Sequence, residues 1–435
     1  MKKVTALCIK KVYLLLLIFL YANNCTGTAH KVIQTNTKNH KITRKRPRKR
    51  RKRIPRRTKN RSKPRRPARR TKRFLRRSNL RHINQRLIQR ENPPEFSKTI
   101  SHFIQPTEAP EINNQKPYMW QSQSQIPFNE LIVSWNAKRP LTGYMTLWVR
   151  VKHQDWSPWH KIAEWGQNYQ LSFANTRNQF VHTAYVKIVT KQGRFANAFG
   201  IKALFHNGAQ KQDLHALFAC CSNLKKFQGN KTSFNQPSVT ISGITAQSQK
   251  VLDHARTGDL CYPTSMSMIV NYFTSILNKD KHPCSLSNFA VDFAEKVHDL
   301  RLDIFGNWLL NTAQAYDASG GDVFYRAERL RNFNDIYNRL INKIPVAVSV
   351  RKLHGGATPY SKGHLITIIG WNNETQSVIC LDPAFRSNKA VHKSYKLNYF
   401  ARAWARQSNL SYIPLPKKDI WLKFCQNMNP FPKTI

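Results

Sequence analysis

Cys261 opens the stretch C-Y-P-T-S-M-S-M-I-V-N-Y-F, and well downstream the chain reads G-H-L-I-T-I-I-G-W, a short polar break, then S-V-I-C-L-D-P. A cysteine, a histidine and an aspartate in that order suit acyl chemistry. The thiolate attacks a carbonyl, the imidazole of His364 takes and returns the proton, and the carboxylate of Asp382 holds the imidazole in one tautomer. Because the thiolate is the reacting form, the cysteine needs a helix N-terminus and a nearby imidazole to favour it.

The elements that must position these groups are legible around them. Pro263 suits a first helical turn, where its missing N–H costs nothing, and Met266, Ile269, Val270, Phe273 and Ile276 recur at helical spacing. Cys261 is therefore expected at the mouth of a buried helix. The apolar runs 364–371 and 377–381 predict two antiparallel strands joined by the turn-rich Asn372-Asn373-Glu374-Thr375-Gln376. Pairing Trp371 with Ser377 sets Ile366 opposite Asp382 and makes His364 and Asp382 diagonal neighbours on one face. A slip of one residue would put them on opposite faces.

At these residues the sequence resembles the papain-like cysteine peptidases of family thirty-nine. They are relatives of the domains that trim double-glycine leaders from exported bacteriocins, and the likeness is greater to their stand-alone secreted members. It continues through G-N-W-L-L-N-T-A-Q-A-Y at 306–316, I-P-V-A-V-S-V at 344–350, G-H-L-I-T-I-I-G at 363–370, L-D-P-A at 381–384 and the Tyr395 to Trp404 stretch. The resemblance implies a peptide or protein substrate, with Cys261 as nucleophile, His364 as base and Asp382 as orienter. It also implies a glutamine upstream as oxyanion donor, and the Ser248-Gln249 pair looks like that element. Gln249 can serve only if the intervening loop 250–260 folds back on itself; Gln247 is the weaker candidate. A donor of this kind is worth about 3 kcal/mol of barrier.

With 435 residues the chain allows more than one domain. Met1-Lys2-Lys3, Lys10-Lys11 and the apolar run Val12 to Ala22 form a basic head and a short greasy core, too short to span a bilayer comfortably. Residues 1–29 therefore read as a secretory signal, placing the protein outside the cell or in its envelope. Cys25 invites a lipid anchor, but Asn24 stands where a small residue is wanted. Loss of the signal would leave Cys220, Cys221, Cys261, Cys284, Cys380 and Cys425, too sparse a set for a disulfide scaffold, and adjacent Cys220-Cys221 cannot readily bridge to each other. No His/Cys cluster has zinc-ligand spacing, so neither metal nor cofactor is expected.

The formal charge of +50 is unevenly spread: residues 1–90 hold 32 of the 72 Lys and Arg and none of the 22 Asp and Glu. Lys41 to Arg81 mixes Arg, Lys and Pro with few apolar residues, and cannot bury enough surface to offset its ordering entropy. It is expected to be disordered and to bind an anionic polymer through counterion release, or to serve as a solvated spacer.

Between these parts the texture is that of strands. Met145, Leu147, Val149 and Val151 alternate with Thr146, Trp148, Arg150 and Lys152, and Phe180, His182, Ala184, Val186 and Ile188 alternate later, both half-buried strand patterns. Six of the ten tryptophans fall here, at 120, 135, 148, 156, 159 and 165, as core residues or as platforms for sugar rings. The stretch F-N-E-L-I-V-S-W-N-A at 128–137 also resembles the accessory domain that often precedes the secreted peptidases.

The expected fold is an α+β papain-like cysteine peptidase domain over 240–435, reached through a linker at 209–239. An antiparallel β-sandwich over 113–208 precedes it, after a disordered basic segment at 30–112. The expected activity is that of a secreted or envelope-associated thiol peptidase. The same site suits acyl transfer to an amine, and a core without activity would leave a polyanion-binding envelope protein.

Overall fold

β-Branched and aromatic residues at alternate positions build the first part of the structure. In a computed structural model the chain is described over residues 95–105, 116–174, 177–184, 187–191, 193–229, 232–277 and 285–417. The signal, the basic run Lys41 to Arg81, Val186, Cys8, Cys25, Cys284 and Cys425 lie outside the described residues. The first ten strands are β1 (Ser97–Phe103), β2 (Tyr118–Phe128), β3 (Glu130–Ala137), β4 (Tyr144–Lys152), β5 (His160–Gly166), β6 (Gln170–Ser172), β7 (Val181–Ala184), β8 (Lys187–Thr190), β9 (Ala196–His206) and β10 (Leu214–Ser222). They make two five-stranded sheets, in the orders β1-β10-β3-β8-β7 and β2-β9-β4-β5-β6. Every named strand pair in them is antiparallel.

Two sequence expectations change here. The first sheet takes β1 from the stretch read as disordered and β10 from the stretch read as linker, so its strands extend beyond 113–208 on both sides. The alternation over 180–188 belongs not to one strand but to the antiparallel pair β7 and β8, with Val181 and Thr183 buried on one and Ile188 and Thr190 on the other. Period-two alternation reports a strand, not where the chain reverses, so the reversal was invisible.

The tryptophans divide by environment. Trp135 of β3 and Trp165 of β5 are buried and meet edge to face, ring centroids 6.3 Å apart, across the two sheets. Trp148, Trp156 and Trp159 are only half-buried; Arg150 lies over the rings of Trp156 and Trp159, and Lys202 over those of Trp148 and Trp159.

The remaining elements are β11 (Val239–Thr240), α1 (Cys261–Leu277), α2 (Leu286–Glu295), α3 (Trp308–Ala318), β12 (Val323–Arg329), α4 (Phe333–Leu340), β13 (Val346–Val350), β14 (His364–Asn372), β15 (Ser377–Leu381), β16 (His392–Lys396), α5 (Leu397–Ala405) and β17 (Leu410–Pro416). A seven-stranded sheet runs β12-β17-β13-β14-β15-β16, with β11 added beside β14. Gly370 makes that addition feasible, since a Cβ there would come within 2.6 Å of the Val239 carbonyl oxygen. Side chains cap the helices: Ser285 accepts the Asn288 N–H, Asn307 that of Leu309 and Asn332 that of Asn334.

β3 is buried along its whole length, and its two faces differ in chemistry. Leu131, Val133 and Trp135 present one apolar face, while Glu130, Ser134 and Asn136 on the other meet β12 or its side chains. A second polar contact joins the sheets to the helical part. The Asp299 carboxylate, wholly buried, accepts the backbone N–H and hydroxyl of Ser172 and the Asn307 amide. Arg139 stacks on Trp165 and donates to Gln314, Gly166, Gln170 and Lys296.

Candidate active site

α1 begins at Cys261, as its apolar spacing predicted. The Thr264 N–H reaches back to the Leu260 carbonyl, so Leu260 caps the helix and Cys261 occupies its first turn. An amide at that position has no acceptor within the helix and faces outward, at the positive end of the dipole. Two hydrogen bonds lock this helix to β14: Ser265 Oγ donates to the Leu365 carbonyl (3.1 Å) and Thr367 Oγ1 to that of Ser265 (3.4 Å). Cys261 is half-buried, whereas Cys220, Cys221 and Cys380 are buried, and all four are free thiols.

The β14–β15 hairpin differs from its expected register at one end and agrees at the other. Asn372, not Trp371, pairs with Ser377, which moves the pairing by one residue at the turn. Ile369 then has no opposite number on β15, and the register shifts back between Ile368 and Gly370. Beyond this bulge Thr367 faces Leu381, so the next pair along the same register is Ile366 and Asp382, the alignment the sequence suggested. His364 and Asp382 thus share a face and meet: His364 Nε2 lies 2.7 Å from Asp382 Oδ1.

The remaining ring nitrogen of His364, Nδ1, is left for Cys261, whose thiol is near enough to raise the imidazole pKa. Burial of the ring opposes its protonation. The charges and hydrogen bonds of Asp382 and Cys261 outweigh that penalty and lift the imidazole pKa to about 9. Asp382 is wholly buried. Desolvation pushes its carboxyl up, but His364 and two phenols more than compensate and hold it below the usual carboxylate range. Those phenols are Tyr360, donating to Oδ2 at 2.8 Å, and Tyr395, donating to the same oxygen at 2.6 Å; the Ala384 N–H reaches Oδ1 at 3.1 Å. Tyr360 also stacks on the imidazole, with ring centroids 3.9 Å apart.

Neither tyrosine was assigned a role from sequence. Tyr395 falls within a stretch that carries the family resemblance, but nothing local marks it as a partner of Asp382. Tyr360 sits at φ +46° in a coil segment without periodicity. Its one trace is Gly356, where a Cβ would come within 2.4 Å of the Tyr360 ring.

Gln249 is buried, and its segment is tied to the Asp382 loop: its N–H donates to the Pro383 carbonyl and that of Ser248 to Asn388 Oδ1. Its carboxamide donates both hydrogens to the loop ahead of Cys261, at 2.7 Å to the Thr257 carbonyl and 3.1 Å to that of Gly258. The loop does fold back, as a role for Gln249 requires. With both donors committed, however, Gln249 presents no free N–H, and its Oε1 is buried without a partner among the described residues. Gln247 accepts from Ser287 and donates to Ser248 and Asn388, so it is bound into the scaffold. Among the described residues no group of three or more His, Cys, Asp or Glu is arranged to hold a metal ion.

A thiol in the first turn of a buried helix, an imidazole and an ionised carboxylate in series are the parts of a cysteine-peptidase site. Residues 241–412 match the model of the Peptidase_C39 like family. No curated protein matches the chain. Among solved structures it is similar to a C39-like peptidase from Bacillus anthracis, at 13% identity and TM-score 0.32, over 42% of this chain and 99% of that one. It is also similar to xylellain, a cysteine protease from Xylella fastidiosa, at 10% identity and TM-score 0.26, over 44% of this chain and 97% of that one.

Proposed function

We propose that the chain is a thiol peptidase that cleaves peptide bonds through Cys261, His364 and Asp382. The observation that supports this most directly is the series itself: Cys261 to imidazole, imidazole to a carboxylate held by His364, Tyr360, Tyr395 and the Ala384 N–H. Cys261 attacks the carbonyl of the scissile bond, and the imidazolium of His364 gives its proton to the departing amine. The neutral imidazole then takes a proton from water, which releases the acyl group. Asp382 keeps Nε2 protonated throughout, so that Nδ1 faces the reaction.

The Cys261 N–H at the helix start is one donor to the oxyanion. Gln249 becomes the second when one of its N–H groups leaves a loop carbonyl, the longer contact to Gly258 being the weaker of the two. On this reading the two five-stranded sheets form an accessory β-sandwich. Residues 1–29 direct secretion to the envelope or beyond it, and Lys41 to Arg81 holds an anionic polymer.

The test is cleavage of a soluble peptide mixture by the full chain, with products identified by mass spectrometry. Hydrolysis that Cys261→Ala abolishes is the expected result. Products joined to an added amine instead of water would make the protein an acyltransferase, and equal products from the Cys261→Ala chain would remove the thiol from the reaction.

A further inference from the structure

The first sheet reaches the site through β12. As the outermost strand of the seven-stranded sheet, β12 pairs with β17 alone within it, which leaves one row of backbone groups to be satisfied. Side chains of β3 and β10 do this at every second residue. Asn136 donates to the Tyr325 carbonyl and accepts its N–H, both at 2.7 Å; Ser134 Oγ accepts the Ala327 N–H at 3.2 Å; Cys220 Sγ accepts that of Arg329 at 3.4 Å.

The row ends at an ion pair. Glu130 of β3, 1% exposed, accepts Arg329 Nε at 2.6 Å and Lys187 Nζ at 2.5 Å. Arg329 Nη1 donates onward to the carbonyls of Gln407 (2.6 Å) and Ser408 (2.8 Å). Ser408 and Asn409 are both left-handed, at φ +48° and +58°, so this turn holds a conformation that side chains ordinarily avoid.

From that turn Gln407 Nε2 donates to Ser349 Oγ at 3.3 Å, and Ser349 Oγ meets the phenol of Tyr262, the residue after Cys261, at 3.3 Å. The same amide lies where Gly363, the residue before His364, would carry a side chain: a Cβ there would stand 2.9 Å from Gln407 Nε2. One side chain thus abuts the chain neighbour of the imidazole directly and reaches that of the thiol through Ser349.

We propose that Glu130 and Arg329 are positioning residues for the Cys261–His364 pair, acting through Gln407, so that the first sheet is a working part of the site. The inference rests on the assignment of those two residues as nucleophile and base. Glu130 touches no reacting atom; it fixes Arg329, Arg329 fixes the 407–409 turn, and the turn bears on Gly363 directly and on the Tyr262 phenol through Ser349.

The experiment is the rate of Cys261 alkylation by iodoacetamide across pH in the full chain, read by mass spectrometry of the Cys261 peptide. Glu130→Gln is expected to slow alkylation at pH 6 by about tenfold and to shift its pH profile, as small misplacements of reacting groups do. Circular dichroism at the assay temperature should stay that of the parent. Gln407→Ala should reproduce the effect, and the double variant should be no slower than either. A parental profile in folded Glu130→Gln, or effects that multiply in the double variant, would overturn the proposal. Should Glu130→Gln unfold the chain, Gln407→Ala, which keeps the Glu130–Arg329 pair, decides the matter alone, and a parental profile there counts against it. Alkylation needs no peptide turnover, so a parent chain that cleaves nothing would defeat the peptidase reading without touching this one.

Discussion

The phenol of Tyr395 donates to Asp382 Oδ2 at 2.6 Å, and that of Tyr360 shares the same oxygen, so the buried carboxylate is satisfied on one oxygen by phenols and on the other by His364 and a backbone N–H. A carboxylate so supplied stays ionised without solvent, which a permanent partner for the imidazole requires.

Tyr395→Phe removes one of these donors and leaves the rest. A hydrogen bond to a charged group is worth about 1.5–3 kcal/mol, so the melting temperature should fall accordingly. The acid limb of kcat/KM should move to higher pH as the Asp382 carboxyl becomes easier to protonate. A limb at the parental pH would mean that Tyr395 only fills space.

Asp382→Asn should keep the fold and cut turnover on the order of 10³–10⁴-fold, because an amide permits the wrong imidazole tautomer. It also removes a charge that raises the His364 pKa toward about 9, so the alkaline limb of any residual activity should move to lower pH than in the parent. Turnover within twofold of the parent would take Asp382 out of the mechanism.

Stability should follow pH in two windows. The folded pKa of His364 lies above its unfolded value, so its contribution is complete below about 6.5 and is lost as pH rises through about 9. Asp382 and Glu130 are shifted the other way, so theirs is present above the unfolded carboxyl range and is lost as pH falls through their depressed values. Thermal denaturation against pH should flatten on the alkaline side in His364→Ala. An unchanged alkaline slope would show that the titrating group lies elsewhere.

Gln249→Ala should lower kcat by on the order of 10²-fold if the amide turns to the oxyanion, with KM little altered. If Gln249 only holds Thr257 and Gly258, the loss will appear in stability and in Cys261 alkylation instead. That outcome would leave the Cys261 N–H without the glutamine as its companion.

The basic arm calls for a salt titration. Full-length protein should bind a phosphate-rich polymer with an affinity that falls log-linearly between about 50 and 200 mM salt, and deletion of 41–81 should abolish it. Cleavage of a small peptide should be unaffected by the deletion. Equal, salt-insensitive binding by both proteins would make the arm a spacer.

The helix at Cys261 and the strands at 364–372 and 377–381 were legible because each is written in a local period, 3.6 or 2, that burial of one element enforces. The facing of His364 and Asp382 was legible only in outcome. A one-residue error in the turn pairing is cancelled by the bulge at Ile369, which no pattern of hydrophobic residues announces. The edges of the sheets and the β7–β8 reversal were misjudged because alternation says nothing about where a chain turns or what pairs with it.

By itself the sequence determined the helix that begins at Cys261, the strands that carry His364 and precede Asp382, and the match of residues 241–412 to the Peptidase_C39 like model, all carried by residues close together in the chain or by their types. Only the tertiary structure decided that Tyr360 and Tyr395 complete the Asp382 site, that Gln249 spends both donors on its own loop, and that Glu130 grips Arg329. The physical reason is the same for all three. A buried polar group must find a partner wherever the fold brings one, and the partner of Glu130 stands 199 residues away, a distance over which sequence pattern carries no register.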